Sequence, residues 1–196
     1  MTIYDQIIDA CQPYWRVRSN GIHVPESYAF AQKLLDSYPQ ANRQIVLPAI
    51  LLHDNGYARV PEETLLAGLK DAPSGHRPDI TRLHEIAGAE IAREILTELA
   101  FDDDQIDRIV KIIDGHDSRL ESLSIEDSIV KDSDKLWRFT KTGVTIAGIG
   151  WMNQTADSFL DYCLSKADGW MFSAEAREIA KITAEETRKT LGRNAL

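Results

Sequence analysis

The chain of 196 residues has only two cysteines, Cys11 and Cys163, and neither stands in a CxxC or comparable ligand spacing. No disulfide framework is implied, and a reducing cytoplasm is the expected setting. Long apolar runs are also missing. The longest uninterrupted one, Ile45 to Leu52, covers eight residues, far short of the ~20 that a bilayer-spanning helix needs. The N-terminal stretch carries Asp5 and Asp9 and lacks a basic-then-apolar layout, so no signal peptide is expected. Basic residues are outnumbered, with 22 Lys and Arg against 31 Asp and Glu and a formal net charge of -9. Such a surface repels nucleic acid phosphates, so neither nucleic acid nor membrane is an expected partner. A small anionic substrate remains compatible, because a local cation can reverse the field inside one pocket. Strand-like alternation of useful length, internal repeats and low-complexity tracts are absent as well.

What is there is helical periodicity in a globular composition, 43% hydrophobic and 27% charged. One domain over 1–196 is expected. Ile3, Ile7 and Ile8 indicate a first short helix, and Val24 to Ser37 a second, stopped by Pro39. Ile45 to His53 reads as a third, apolar all round and therefore buried, with Pro48 either near its start or at a kink. Asn55-Gly56 resembles a C-cap. Arg59 to Asp79, with Pro61, Pro73, Gly75 and Pro78, reads as a surface insertion containing a short helix at Glu62 to Leu69. Leu83 to Leu99, Asp102 to Gly115 and Ser124 to Thr140 follow as helices. Asp102 to Asp104 favour the N-terminus of the second of these, and Ser124 with Asp127 makes a capping-box-like start to the third. Gly143, Gly148 and Gly150 mark a flexible connection before helices at Asp157 to Ser165 and Ser173 to Leu191.

The informative feature is a set of polar residues placed where hydrophobic ones belong. The stripe Ile106, Ile109, Ile113 is continued by His116. His84 shares a face with Gly88, Ile91 and Ile95. His53 continues Val46, Ala49 and Ile50, and Asp134 lies between Val130 and Trp137. Taken singly, each has an ordinary reading: a histidine satisfied within the core, an Asp134 paired with Lys131, Lys135 or Arg138, a His23 on the surface before a helix. Together they suggest one shared partner, because buried polar groups are costly unless they are paired or bind a metal. Imidazole and carboxylate are the expected ligands of zinc, iron, manganese, cobalt or nickel. His53-Asp54 is the central clue. Neighbours on a helix point about 100° apart, but at a helix end both can reach one point.

In this order the residues resemble the HD-domain superfamily of metal-dependent phosphohydrolases. Its pattern is a histidine, a His-Asp doublet and a distant aspartate, and binuclear members insert two further histidines between the doublet and the last aspartate. Here His23, His53-Asp54 in LLHDNGY, His84 in LHEIAGAEIAREIL, His116 in IIDGHDSR and Asp134 in IVKDSDKLWR match in turn, over roughly His23 to Arg138. Asn55 departs from the apolar or threonine residue common there. Asp132 competes with Asp134 for the last place. The family's Asp-Lys/Arg-Leu pattern favours Asp134 and leaves Asp132 as a residue holding a ligand histidine.

The resemblance implies an all-α HD-domain helical bundle, with a motif region at 23–138 and C-terminal helices at 155–192 packed on it. It implies one or two divalent transition-metal ions, Fe, Mn, Zn, Ni or Co. His23, His53 and Asp134 would hold one, His84 and His116 the other, and Asp54 would bridge. The implied activity is hydrolysis of a small phosphate ester, a nucleotide among them, by metal-activated hydroxide. Asp54 and Lys135 would be catalytic, and Lys135 and Arg138 would bind substrate. Arg59, Arg77 and Arg82 read as solvated charges, His76 as an exposed loop residue able to touch substrate, and Trp151, Trp170 and Phe172 as core residues first and as candidates to line a substrate pocket second. Two alternatives share the ligand set: a mixed-valent di-iron oxygenase and a non-catalytic nucleotide-sensing domain.

Overall fold

In the computed structural model, which describes residues 1–61, 63–64 and 78–192, every regular element among the described residues is helical. The expected helix at Glu62 to Leu69 falls largely outside the described residues, and His76 and Arg77 lie wholly outside them. No helix among the described residues is long and apolar enough to cross a membrane.

The helices start where their caps dictate. In α1, Ile3–Cys11, Thr2 and Asp5 form a reciprocal capping box. Asn42 caps α3, Arg43–Leu52, by accepting from the Gln44 backbone N–H at 2.9 Å. Asp102 caps α5, Asp103–Ile113, through Gln105 N–H at 2.9 Å, and Ser124 caps α6, Ile125–Leu136, through Asp127 N–H at 3.3 Å. Between α3 and α5 lies α4, Pro78–Glu98, which starts earlier than the expected Leu83. The C-terminal pair is α7, Ala156–Trp170, and α8, Ala174–Gly192. Ile45 to Leu52 is buried without exception, so α3 is the central helix, packed on by α1, by α2 (Asn20–Ser37), and by α5 and α6. A continuous core runs from Ile7 through this helix to Ala184 of α8.

Three local expectations are corrected. The second helix, α2, spans Asn20–Ser37, not Val24 to Ser37, so His23 lies inside it and is 3% exposed. The chain reverses through Arg18 and Ser19, both left-handed at φ 50° and 60°, and Gly21 N–H donates to Trp15 O at 3.0 Å. No side chain caps this start, which is why the sequence conceals it. Gly56 is not a left-handed cap. It sits in a 3-10 turn, Asn55–Arg59, where α4 crosses so closely that an added Cβ would overlap the His84 carbonyl and the Gly88 nitrogen. Nor do Gly143, Gly148 and Gly150 form a flexible connection. Trp137–Phe139 is a 3-10 turn that ends the helix expected to reach Thr140, and it leads through Lys141–Gly143 into a wide π-type helical segment, Val144–Trp151. A Cβ on Gly148 would lie 2.6 Å from the Phe159 ring, so that glycine permits helix contact.

Asp132 also has a different task from the one expected. Among the described residues it touches no histidine. Its oxygens accept from Phe172 N–H at 2.7 Å, Ser173 N–H at 3.0 Å and Ser173 Oγ at 2.6 Å, fastening the start of α8 to α6. Replacing Asp132 by alanine strands these donors beside a buried site. A loss of about 2–3 kcal/mol is expected from charge-assisted bonds of this kind, read as a lower denaturant midpoint at unchanged slope.

Candidate metal centre

Three helices, one helix end and one turn aim side chains at a single point. His23 comes from α2, His53-Asp54 from the end of α3, His84 from α4, and Asp134 from α6. His116 comes from the turn after α5, where Gly115 at φ +112° reverses the chain. All six side chains are buried. The doublet is held from behind: Asn20 Nδ2 donates to Asp54 O at 3.0 Å, Trp15 Nε1 to Asn55 Oδ1 at 3.1 Å, and Asn55 Nδ2 to Cys11 Sγ at 3.2 Å. This accounts for asparagine at position 55, whose amide ties the turn to α1.

The outer nitrogen of each imidazole is engaged. His53 Nδ1 lies 2.7 Å from Ile50 O, His116 Nδ1 2.9 Å from Ile113 O, His84 Nδ1 3.3 Å from Ile80 O, and His23 Nδ1 3.3 Å from Ser27 Oγ. A carbonyl only accepts, so it assigns the hydrogen of His53, His84 and His116 to Nδ1 and turns Nε2 inward as a donor to a cation. The Nε2 atoms form two groups. His23 and His53 are 3.0 Å apart, and both approach Asp134 Oδ1, at 3.2 and 3.6 Å. His84 and His116 are 3.4 Å apart and approach Asp54 Oδ1 at 3.7 and 3.5 Å. Asp54 Oδ2 faces His23 at 3.3 Å, so one carboxylate spans both groups. Donors around one tetrahedral ion at about 2.1 Å would stand about 3.4 Å apart. The donor types and spacings therefore fit divalent metal in each of the two buried triads, His23-His53-Asp54 and Asp54-His84-His116.

The electrostatics favour positive charge at the centre. Burial would raise the Asp54 carboxyl, but charge on His53 and hydrogen bonds from His116 and His23 outweigh it and hold the group well below the usual carboxylate range. Burial opposes charge on His116, yet the hydrogen bond to Asp54 and the charge of Asp117 push it up to about 9. His23 is raised likewise, against burial, by Asp134 and Asp54, whereas burial and then His116 lower His84. Carboxylates around imidazoles thus stabilise a cation there, whether proton or metal.

The centre opens on a cavity of about 420 Å³. Lys135 and Arg138 face it, Lys135 Nζ at 3.1 Å from Asp134 Oδ2 and 3.2 Å from Asp117 Oδ1. Trp151, Trp170 and Phe172 line it too, rather than serving only as core. Arg59 pairs with Glu90 and Glu94 on the surface, whereas Arg82 reaches the buried Glu85 at 2.6 Å as well as Asp114 at 2.8 Å and so is more than a solvated charge. Four residues were not legible. Arg18 lies over the Tyr57 and Trp151 rings at 4.5 and 4.8 Å and lines the cavity. Tyr57 stacks on His84 with ring centroids 4.0 Å apart. Glu85, fully buried, accepts from Asp117 N–H at 2.9 Å and Ser118 N–H at 2.7 Å and so pins the His116 turn. Asp117 itself lies beside His84 and His116. Two signals were available: His84-Glu85 and His116-Asp117 repeat the histidine-acid doublet of His53-Asp54.

A helical bundle that gathers imidazoles and a shared carboxylate around one interior point defines a metal-site protein built on α-helices. The chain belongs to the HD domain family, whose profile matches residues 20–138, more than half its length. That is a family of metal-dependent phosphohydrolases, which act on phosphorylated substrates. Comparisons with curated proteins and with solved structures give no match.

Proposed function

We propose that this chain hydrolyses a small phosphate ester, with nucleotides as the first class to test, in a single HD-type domain. The observation that carries the reading is the convergence of His23, His53, His84, His116, Asp54 and Asp134 beneath a cavity that Lys135, Arg138 and Arg18 make cationic. In this reading His23, His53 and Asp134 would hold one divalent ion and His84 and His116 the other, with Asp54 shared between them. Bound ions would supply an activated water and neutralise charge on the phosphoryl oxygens.

The remaining work falls to the chain. Burial would lower Lys135, but Asp134 and Asp117 outweigh it and keep its ammonium charged. Lys135 and Arg138 stand one and four residues beyond Asp134 on the same side and clamp the phosphate oxygens. Trp151, Trp170 and Phe172 offer apolar walls to the ester's organic group and exclude bulk water.

The test is phosphate release from a panel of nucleotides and sugar phosphates, with Mn, Co, Ni or Fe added to protein purified without chelators. Metal-dependent release that a chelator abolishes and metal restores is the expected result. Fully metallated protein that releases no phosphate, or that instead takes up oxygen in an iron-dependent way, overturns the reading.

A further inference from the structure

We propose that Asp117 is a fourth protein donor to the metal position built by His84, His116 and Asp54, an inference that rests on the metal reading of the site. Asp117 Oδ2 stands 3.8 Å from both His84 Nε2 and His116 Nε2, while the other donors of that group lie 3.4 to 3.7 Å from one another. Asp117 Oδ2 thus keeps the spacing of a donor to a shared ion with respect to both imidazole nitrogens.

The placement is built. Gly115, at φ +112°, turns the chain out of α5. Glu85, buried beside ligand His84, takes the backbone N–H groups of Asp117 and Ser118 as well as Ser118 Oγ. Lys135 binds Asp117 Oδ1 at 3.2 Å and so orients the carboxylate with Oδ2 toward the two imidazoles. Among the described residues, the contacts of Oδ2 within 4 Å are those two imidazole Nε2 atoms.

With Asp117 included, the two positions have the same composition. Each has two imidazoles, an oxygen of Asp54 and one outer carboxylate, Asp134 in one and Asp117 in the other. Lys135 Nζ links these outer carboxylates, at 3.1 and 3.2 Å. The second position is then a full site rather than an accessory one, and both ions should bind.

The experiment is metal stoichiometry and affinity by equilibrium titration of stripped protein with Co²⁺ or Mn²⁺, with the cobalt absorption spectrum as a readout of coordination. The wild type is expected to bind two ions. Asp117→Ala and Asp117→Asn should keep the first and weaken the second by at least the ~10–100-fold typical of losing even an outer partner, with a changed cobalt spectrum. Asp117→Glu should recover part of the loss. Retention of the first ion shows that the fold survives. The double variant Asp117→Asn/Lys135→Met removes one charge of each sign. The second ion should stay weak in it, and its return to wild-type affinity would reduce Asp117 to a counter-ion and overturn the proposal. Two ions bound with unchanged affinity by Asp117→Ala also overturn it while leaving the hydrolase reading intact, and one ion only in the wild type overturns it together with the two-ion form of that reading. Wild-type protein that binds no ion overturns both.

Discussion

Replacing Asp54 with alanine is expected to leave a folded protein that no longer holds two ions and no longer turns over. Among the described residues the Asp54 carboxylate alone faces both histidine groups: Oδ1 lies 3.5 Å from His116, 3.7 Å from His84 and 3.6 Å from His53, and Oδ2 lies 3.3 Å from His23. Its loss removes a donor from each position and the negative charge that offsets two cations at close range. Hydrolysis should fall by about 10³-fold or more, the scale on which a single preorganised electrostatic group acts in an active site. The backbone turn should survive, because Asn20 bonds the main-chain oxygen of Asp54 rather than its side chain. Thermal melting separates the two effects. The Asp54→Ala protein should melt within a few degrees of wild type before metal is added, and should lose the rise that metal confers on wild type by binding only the folded state. A fully active Asp54→Ala protein would end the mechanism proposed above.

Gly56→Ala should be the most damaging single methyl addition near the site. Gly56 is not in a left-handed conformation, so alanine meets no backbone strain of its own. The obstacle is the neighbouring helix. The new Cβ would overlap the His84 carbonyl oxygen and the Gly88 nitrogen and lie 2.8 Å from the His84 carbonyl carbon. These are main-chain atoms of α4, and no rotamer change relieves them. The turn carrying Asp54 and the helix carrying His84 must separate, which disturbs the core and the metal centre together. Overpacking usually costs about 1–3 kcal/mol, more where backbone must move, and about 3 kcal/mol or more is expected. Gly88→Ala gives a graded comparison. Its Cβ would stand 3.1 Å from His53 O and 3.4 Å from Ile113 Cγ2, distances that small shifts can absorb. Denaturant unfolding of the two variants should rank Gly56→Ala clearly below Gly88→Ala. Equal stabilities would show that α4 does not cross the doublet as closely as described.

Cap and stripe were the legible parts of the fold. Asp102 and Ser124 announce α5 and α6 because a short polar side chain before an apolar-periodic run has a local use for its oxygen. The stripe Ile106, Ile109, Ile113 points to the face on which α5 is buried and on which His116 follows. The start of α2 was hidden because Arg18 and Ser19 make it by a left-handed reversal rather than a cap. The glycines at 143, 148 and 150 looked like hinges, since nothing local distinguishes a glycine needed for flexibility from one needed for close approach. Asp132 reads as an aid to a histidine, but its partners are Phe172 and Ser173, about forty residues later in the segment that leads into α8.

The sequence by itself determined the helical class, the order of imidazoles and carboxylates, and the apolar faces on which they ride, because these depend on residue type and on the 3.6-residue period of a single helix. Tertiary structure alone decided that the inner nitrogens of His84 and His116 stand 3.4 Å apart, that Asp117 joins them, and that Arg18 and three aromatic residues wall the cavity. A helical period fixes direction only around its own axis. Distances between helices are set by contacts such as Gly56 on Gly88, made by residues far apart in the chain.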